Sequence, residues 1–242
     1  MILIIIPFKN EEKTIKRTLQ ELYVWCSKNI KDFEILLIND HSSDTTLNQI
    51  KEHKLQRVRV VSNRFDRGKG SALKTAVVSA DFMYAVKDDD KILFLDGDGQ
   101  FDYSDIEVFL GLMEIYNADI VIGNKRHLFS TVSYSLKRRI VSSVYNWITR
   151  ILFGFNFRDT QSGMKLFKKN ALDSVLDKVN SKRYAFDLEL LVAMREMNFR
   201  IIDAPIKISR SVNSGSVRFS TILYTFFDTL IILINKLKGM YA

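Results

Sequence analysis

Short apolar runs alternate with longer amphipathic stretches through the first half of the sequence. The apolar runs cover residues 1–7, 33–38, 58–62, 92–95 and 120–123. A short continuous apolar run indicates a strand that is buried on both faces, whereas the stretches between the runs place apolar residues at helical spacing. Strands that alternate with helices in this way form parallel sheets. We therefore predict an α/β fold with a doubly wound, mostly parallel sheet and helices on both of its faces.

The polar residues that follow three of these runs predict a ligand crevice. They come after Ile6, Ile38 and Leu95, and ligands bind at the carboxyl ends of the strands in such sheets. Asp96 and Asp98 flank a glycine, so both carboxylates can turn toward one point. This arrangement suits a hard divalent cation that also carries diphosphate oxygens. A plain polar turn is the alternative interpretation.

A second glycine-rich turn, Gly68-Lys69-Gly70, opens the third predicted helix. It does not have the residue spacing of a Walker loop. Its free N–H groups and its lysine can contact an anion, and a simple turn is an equally good interpretation of the same residues.

Composition limits the remaining chemistry. The 242 residues include one cysteine, Cys26, and three scattered histidines, which excludes an internal disulfide, a cysteine-based zinc site and a histidine cluster. The net charge of +8 favours a phosphate-bearing partner. Nucleic acid is not expected as the main partner, because the aromatic residues lie mostly in apolar helical stripes.

We expect one globular domain, or one domain with an appendage. No signal peptide is recognisable before Pro7, which fits a cytoplasmic compartment.

Two amphipathic segments distinguish the second half of the sequence. Residues 136–152 carry a wide apolar face with basic flanks, which suits either a core helix or a helix at a membrane surface. Residues 219–238 also repeat apolar residues at helical spacing, but Asp228 interrupts them, and no uncharged run reaches the about 18 residues that a membrane span needs. We predict an amphipathic helix that lies on a bilayer or in an oligomer contact. Residues 164–167 and 200–208 are predicted strands, the latter at a sheet edge because of Pro205.

Six motifs, in the same order, resemble those of the family 2 glycosyltransferases, which have the GT-A fold. The motifs are Pro7-x-x-Asn10-Glu11, Asn39-Asp40-x-Ser42-x-Asp44, Arg67-Gly68-Lys69-Gly70, Asp96-Gly97-Asp98-Gly99-Gln100, Arg158-Asp159-Thr160-Gln161-Ser162-Gly163-Met164-Lys165-Leu166-Phe167 and Phe186-Asp187-x-Glu189. The last two are similar to motifs of the polyprenyl (dolichyl) phosphate glucosyl- and mannosyltransferases. The resemblance covers about residues 1–218 and implies a GT-A domain there. Residues 219–242 are predicted from their own apolar spacing to form a C-terminal amphipathic, membrane-associated helix.

The resemblance implies roles for the residues that match the motifs. Pro7, Glu11 and Asp40 would contact the nucleoside of a nucleotide sugar, and Lys69 and Asp96 would lie near its base, ribose or diphosphate. Asp98 and Gln100 would hold Mg²⁺ or Mn²⁺, and Arg126 and Arg139 would face the donor and acceptor phosphates.

Two departures from the family pattern affect these roles. Asn39 stands where the second motif usually has its first aspartate, which leaves Asp40 as the one carboxylate for the base. The family often has a lysine in a late Gly-Ser-Lys segment, whereas this chain has Gly215-Ser216-Val217-Arg218, with Arg218 two residues after Ser216, so the assignment of the last anion contact stays open.

The function implied by the resemblance is that of an inverting, metal-dependent glycosyltransferase. It would move a hexose, with glucose favoured, from a donor of the UDP-glucose or GDP-mannose type to a polyprenyl (dolichyl) phosphate. The protein would lie peripherally at the cytoplasmic face of the membrane, and its C-terminal helix is compatible with a homo-oligomer.

Three alternatives stay open. The acceptor can be a hydroxyl of a lipid or glycan, which needs a general base; Asp187, with Asp159 second, is the candidate, although a helix dipole alone explains an acidic residue at Asp187. A sugar-phosphate nucleotidyltransferase would carry a glycine-rich basic loop after the first strand, where this chain has Pro7-Phe8-Lys9-Asn10. A non-enzymatic nucleotide-binding or scaffold protein is the third alternative, and the intact pair of carboxylates at Asp96 and Asp98 argues against it.

Overall fold

The computed structural model describes residues 1–66, 68–131, 136–157, 159–183, 185–208 and 219–241, with backbone alone for 136–141 and 219–223. Within these residues a seven-stranded sheet has the strand order β3-β2-β1-β4-β6-β5-β7. The strands are β1 Ile2–Phe8, β2 Phe33–Asn39, β3 Val58–Ser62, β4 Lys91–Phe94, β5 Ile120–Asn124, β6 Lys165–Lys168 and β7 Ile201–Pro205.

The sheet has two halves that differ in strand direction. Strands β1 to β4 pair in parallel and form what we call the parallel half. Strands β5, β6 and β7 form the mixed half, because β6 runs antiparallel to both β4 and β5 while β5 and β7 are parallel. The strands of the parallel half therefore all end at one edge, which is the edge where the polar loops were predicted to meet.

Helices cover both faces of the sheet. They are α1 Ile15–Asn29, α2 Thr46–Glu52, α3 Lys69–Tyr84, α4 Asp105–Ile115, α5 Leu136–Phe153, α6 Lys169–Leu176, α7 Phe186–Glu196 and α8 Phe219–Leu237. Alternate residues of β1 enter different core clusters: Leu3 and Ile5 pack with α3 and α7, and Ile4 and Ile6 pack with α1 and α4. Burial on both faces explains why β1 reads as a continuous apolar run rather than an alternating one.

The predicted fold class is confirmed, and the predicted strands lie within a few residues of the observed ones. From the sequence alone we expect a helix to follow from Glu11, and this expectation is wrong, since α1 begins at Ile15. Residues 11–14 form a turn. The backbone N–H of Glu11 donates to Thr46 Oγ1 at 2.9 Å, and the backbone N–H of Thr14 donates to the Glu11 carbonyl oxygen. Helix α6 was not predicted. The edge position of β7 is confirmed, and Pro205 is its last residue.

The last helix packs against the body of the protein along one side only. Ile232 of α8 is buried in the core, and the Tyr145 hydroxyl of α5 hydrogen-bonds the Thr229 hydroxyl of α8 at 3.0 Å. Other apolar side chains of the two helices are exposed, namely Val144, Trp147 and Ile151 on α5 and Tyr224, Phe227, Ile231, Ile234 and Leu237 on α8. Helix α5 thus has both a core face and a surface face. None of the helices in the described ranges is long and apolar enough to cross a membrane.

Candidate active site

A cleft of about 1120 Å³ opens where β1, β2 and β4 end. Its walls include one predicted metal ligand, Asp98, and all five residues predicted to contact the nucleotide sugar, which are Pro7, Glu11, Asp40, Lys69 and Asp96. The parallel direction of these strands brings together loops that are far apart in the sequence. The structure therefore assembles the predicted donor-side residues in one place.

Gly97 allows the loops after β1 and β4 to approach each other closely. A Cβ atom at this position would lie 3.2 Å from the Pro7 carbonyl oxygen and 3.3 Å from Phe8 Cβ. Because glycine has no side chain, the two carboxylates on either side of it reach the cleft while the backbone passes against β1.

A chain of alternating charges runs from the core into the cleft. Lys165 Nζ lies 2.6 Å from Asp187 Oδ1, and Lys69 Nζ lies 3.6 Å from Asp187 Oδ2 and 2.7 Å from Asp96 Oδ1. Burial raises the pKa of the Asp96 carboxyl, but the charge of Lys69 and its hydrogen bond bring that pKa below its usual value. Burial lowers the pKa of Lys69, and the charges of Asp187 and Asp96 outweigh it and raise that pKa. Lys69 and Asp96 are therefore both charged at neutral pH.

Lys165 is the buried member of this series of alternating charges, and sequence reasoning did not identify it as functional. Its side chain is only 1% exposed, and its ammonium also donates to the Ser162 carbonyl oxygen. Burial lowers the pKa of Lys165, although Asp187 acts in the opposite direction. The available signal was a lysine between Met164 and Leu166 in a predicted strand, because a lysine that is fully buried is almost always paired.

Gly163 lies against the carboxylate of Asp96. A Cβ atom on Gly163 would be 1.8 Å from Asp96 Oδ2, so any other residue here would displace the carboxylate from its place beside Lys69. Gly163 of this motif thus packs on Asp96, which lines the cleft, and a glycine is required there for space.

Asp98 and Glu11 share the same cleft as Asp96. Burial raises the pKa of Asp98, and the nearby Asp96 charge raises it further. Burial likewise raises the pKa of Glu11, against a hydrogen bond from Thr14 at 2.9 Å, and Asp98 and Asp96 add to the increase. Carboxylates that crowd one another in this way are stabilised by a cation, so the residues present fit a divalent metal ion with oxygen ligands.

Gln100 is buried next to Asp98 rather than in the wall of the cleft. Its side-chain amide donates to Asp98 Oδ2, and its backbone N–H lies 3.3 Å from Asp98 Oδ1. The structure therefore shows Gln100 orienting Asp98. Among the described residues, no group of three His, Cys, Asp or Glu side chains is arranged to enclose a metal ion.

Asp40 organises the loop that leads into α3. Its Oδ1 accepts a hydrogen bond from the Asn63 amide at 3.1 Å, and its Oδ2 accepts one from the Gly68 N–H at 2.9 Å. Gly68 has a φ of +86°, in the region that favours glycine, and immediately precedes Lys69. Since Asp40 also lines the cleft, it links the end of β2 to the position of Lys69.

Arg126, one of the two predicted phosphate-binding arginines, lies apart from these residues. Arg126 donates to the Ser142 hydroxyl of α5 at 2.9 Å and is not among the residues that line the cleft. The side chain of Arg139 lies outside the described residues, as do Arg67, Arg158, Tyr184 and residues 209–218 with Arg218. Asp187 is buried and is held by two lysines.

Three cations near the cleft were missed by sequence reasoning. Lys182 and Arg183 line it directly. Lys125, after β5, is close enough for its charge to lower the pKa values of Asp96 and Asp98, against the effect of their burial. These residues lie outside recognisable glycine or carboxylate motifs, and only the packing of the mixed half and α7 on the parallel half brings them here.

Comparison with known proteins gives a family and two kinds of relative. The family model described as Glycosyl transferase family 2 matches residues 3–176. The dolichyl-phosphate beta-glucosyltransferase of Drosophila melanogaster is 26% identical over 254 residues, covering 98% of this chain and 76% of the relative. The Homo sapiens protein of the same name gives the same identity and the same two coverages.

The fold resembles that of solved glycosyltransferase structures. The glucosyl-3-phosphoglycerate synthase of Mycobacterium tuberculosis, in complex with Mn²⁺, UDP and phosphoglyceric acid, superposes with a TM-score of 0.71 at 16% identity, covering 97% of this chain and 78% of the other. At this identity the likeness concerns the fold alone, and it confirms the predicted GT-A architecture.

Proposed function

The chain belongs to glycosyl transferase family 2, and from this premise we propose that it transfers a hexose, with glucose favoured, from a nucleoside diphosphate sugar to a polyprenyl (dolichyl) phosphate. The main observation in support of this proposal is the cleft, where Asp96, Asp98 and Lys69 lie together at the ends of parallel strands. The proposal is supported by relatives named dolichyl-phosphate beta-glucosyltransferase that match 98% of the chain.

The donor fits the cleft with its nucleoside toward Pro7, Glu11 and Asp40 and its diphosphate toward Lys69. The ammonium of Lys69 is fixed by Asp96, so it is already in place before the donor binds. Fixed charges that need no rearrangement during the reaction stabilise the transition state best. Attack on the anomeric carbon from the face opposite the diphosphate would invert an α-linked donor into a β-linked product.

A divalent cation, Mg²⁺ or Mn²⁺, would be held in this proposal by Asp98, with Gln100 orienting that carboxylate. When bound, such an ion supplies positive charge to the departing diphosphate. Donor oxygens and water would supply further ligands, as is common for Mg²⁺ bound with substrate phosphates.

The acceptor is proposed to be a phosphate rather than a hydroxyl. A phosphate monoester has its second pKa near about 6, so it is already an anionic nucleophile at neutral pH and needs no general base. The candidate base Asp187 accepts from Lys165 at 2.6 Å and lies near Lys69, and it is buried. Each of its two carboxylate oxygens faces an ammonium group, so its geometry suits the positioning of Lys69 and Lys165.

The membrane face is part of the same proposal. Polyprenyl phosphates reside in bilayers, and α5 and α8 expose the apolar side chains Trp147, Ile151, Phe227 and Ile234. With a net charge of +8, the protein would also be attracted to an anionic lipid surface. A peripheral position on the cytoplasmic side would give the cleft access to both the soluble donor and the lipid acceptor.

A matrix of donors and acceptors tests the function. The purified protein is incubated with UDP-glucose, UDP-galactose or GDP-mannose and either a polyprenyl phosphate or the corresponding polyprenol, and products are identified by mass. We expect a hexosyl polyprenyl phosphate from UDP-glucose. Product from the polyprenol alone would identify a hydroxyl acceptor, and no product from any pair would contradict the proposal.

A further inference from the structure

The cleft shares one wall with a second cavity. This second cavity, of about 340 Å³, is lined by residues 180–183 together with residues of α7 and α8. Lys182 and Arg183 line both spaces. The segment 180–183 therefore separates the proposed donor cleft from the C-terminal helix.

The wall is held firmly on the cleft side by the start of α3. The Lys182 carbonyl oxygen accepts the Ser71 N–H at 3.2 Å. A Cβ atom on Gly68 would lie 2.7 Å from that oxygen and 3.0 Å from Arg183 Cγ, so the stem of Arg183 packs directly on the glycine that precedes Lys69.

The wall is also held from α7. Glu189 Oε2 accepts the backbone N–H groups of Asn180 at 2.9 Å and Ser181 at 2.6 Å. Because Glu189 is buried and its other oxygen accepts the Tyr241 hydroxyl at 2.7 Å, these bonds are protected from water. The segment that leads to Arg183 is thus held by its backbone, the Arg183 stem packs on Gly68, and Arg183 is an exposed residue.

Arg183 is a cation that the cleft does not already neutralise. Lys9 is paired with Asp66 at 2.5 Å, and Lys69 is paired with Asp96. Within the described part of the chain, neither Lys182 nor Arg183 has a carboxylate within 4.0 Å that would form an ion pair. A diphosphate entering a cleft with several carboxylates needs cations whose charge is still available.

Helix α8 limits where the guanidinium can point. Its carbon lies 5.8 Å from the ring centroid of Tyr224, within the range of a cation–π contact. Asp228, one turn further along α8, is near enough that burial raises its pKa while Arg183 lowers it. The guanidinium therefore lies between the donor cleft and the C-terminal helix.

We propose that Arg183 binds the diphosphate of the donor at the rim of the cleft and that Tyr224 orients its guanidinium for this contact. The inference rests on the proposed function, because it takes the ligand to be a nucleoside diphosphate sugar. A guanidinium presents several N–H donors in one plane and can bind two phosphate oxygens at once. The adjacent N-terminus of α3 adds favourable partial charge at the same place.

Binding of nucleotides and nucleosides to the full chain tests this contact. Calorimetry is performed with UDP and uridine, and with GDP and guanosine, in the presence of Mn²⁺. Arg183→Met keeps the aliphatic stem on Gly68, so the variant should fold as the wild type does. We expect it to weaken nucleoside diphosphate binding about ten- to hundredfold, the size of a lost hydrogen bond to a charged group, with nucleoside binding unchanged. Arg183→Lys should recover part of the loss.

Arg59→Met is the matched control. The Arg59 guanidinium lies 4.7 Å from the Tyr84 ring, a similar stacked contact, but Arg59 is not among the residues that line the cleft. This control should leave both ligands unaffected. Tyr224→Leu should weaken nucleoside diphosphate binding several-fold in the wild type and not at all in Arg183→Met, if it acts through Arg183.

The outcomes separate this inference from the proposed function. If the wild type binds UDP or GDP and Arg183→Met binds it equally well, Arg183 is not a diphosphate contact and the function stands. An equal loss for nucleoside and nucleoside diphosphate would show that Arg183 shapes the cleft only, and would also overturn the assignment. If the wild type binds neither nucleotide, both proposals fail.

Discussion

The donor cleft and the surface formed by α5 and α8 are built on opposite principles. In the cleft, polar side chains lie at strand ends and are fixed by named partners, as Asp96 is by Lys69 at 2.7 Å and Asp40 by Gly68 at 2.9 Å. On the helical surface, apolar side chains such as Trp147 and Phe227 are exposed. Under the proposed function, a soluble, charged donor needs side chains at exact positions, whereas a bilayer needs only a surface of suitable character.

The largest expected effect concerns the cleft. Asp98→Asn removes the charge proposed to hold the metal while it keeps the size of the side chain. We expect transfer to fall about 10³-fold or more, as for other lost electrostatic contacts to a transition state, with little change in the melting temperature. Product formation is measured by mass, with and without EDTA. Glu107→Gln, an exposed change on α4, is the control.

This prediction fails if Asp98→Asn retains near-wild-type activity when the metal is chelated. In that case the cleft would act through its lysines alone, and its fixed charges would serve donor binding without a metal.

A smaller effect is expected where the cleft meets the core. Asp187→Asn leaves the buried ammonium of Lys165 without its carboxylate. Breaking a buried pair from one side is costly, so we expect the free energy of unfolding to fall by about 3 kcal/mol. Turnover of the folded protein should fall only modestly, because a phosphate acceptor needs no base. Denaturant unfolding and a pH–rate profile measure the two effects.

The paired substitution is the control for Asp187. Lys165→Met combined with Asp187→Leu removes both charges and should recover much of the lost stability. A pH-dependent limb of the rate profile that disappears in Asp187→Asn, together with a weak effect of Arg139→Ala, would instead identify Asp187 as a general base for a hydroxyl acceptor.

The parallel half and its site could be predicted because each element leaves a local signal. Strand β4 is a short apolar run, and Asp96 and Asp98 follow it directly, so the element and the chemistry are adjacent in the sequence. The same is true of β1 with Glu11 and β2 with Asp40. Parallel strand direction then places these residues at one edge without further information.

The remainder of the site could not be predicted, because it depends on contacts between distant elements. Lys165 reaches the candidate site only because β6 runs antiparallel beside β4 and places the Lys165 ammonium against Asp187. Arg183 reaches the cleft because its stem packs on Gly68. Neither contact follows from periodicity or from the composition of the segment that carries it.

A contact between α4 and the segment just after β7 should give a pH dependence. Asp105 of α4 is buried and accepts the backbone N–H of Lys207, just after β7, at 2.6 Å. Burial raises the pKa of Asp105 to about 6. Between about pH 4 and pH 6 the folded protein therefore binds more protons than the unfolded protein, and the contribution of Asp105 to stability is lost as the pH rises through about 6.

Asp105→Asn should remove this dependence, because an amide can accept from Lys207 without titrating. The slope is about 1.4 kcal/mol per pH unit at most, so we expect the wild type to lose about 2 kcal/mol relative to the variant between pH 4 and pH 7. Urea unfolding at several pH values measures the difference. If the free energy of unfolding varies with pH in the same way in the wild type and in Asp105→Asn, the Asp105 carboxyl does not cause the pH dependence.

The smallest effect is expected on the helical surface, where no single residue should be essential. Removing residues 219–242 is a poor test, because Ile232 and Tyr241 are buried and Tyr241 bonds Glu189. Phe227→Asn combined with Ile234→Asn changes only half-exposed positions. We expect sedimentation with anionic phosphatidylglycerol vesicles to weaken about tenfold, equivalent to about 1.4 kcal/mol, and added salt to weaken wild-type binding further.

Phe82→Asn on α3 tests whether the effect belongs to this surface, since Phe82 is 88% exposed and lies on a different helix. It should leave vesicle binding unchanged. Because Phe227 and Ile234 are not among the residues that line the cleft, the double variant should keep its affinity for UDP and lose activity only when the acceptor is presented in vesicles. Equal partitioning of wild type and double variant would mean that α8 does not contact the bilayer. Its exposed apolar side chains would then need another partner, and the contrast between a positioned cleft and a nonspecific lipid surface would not hold.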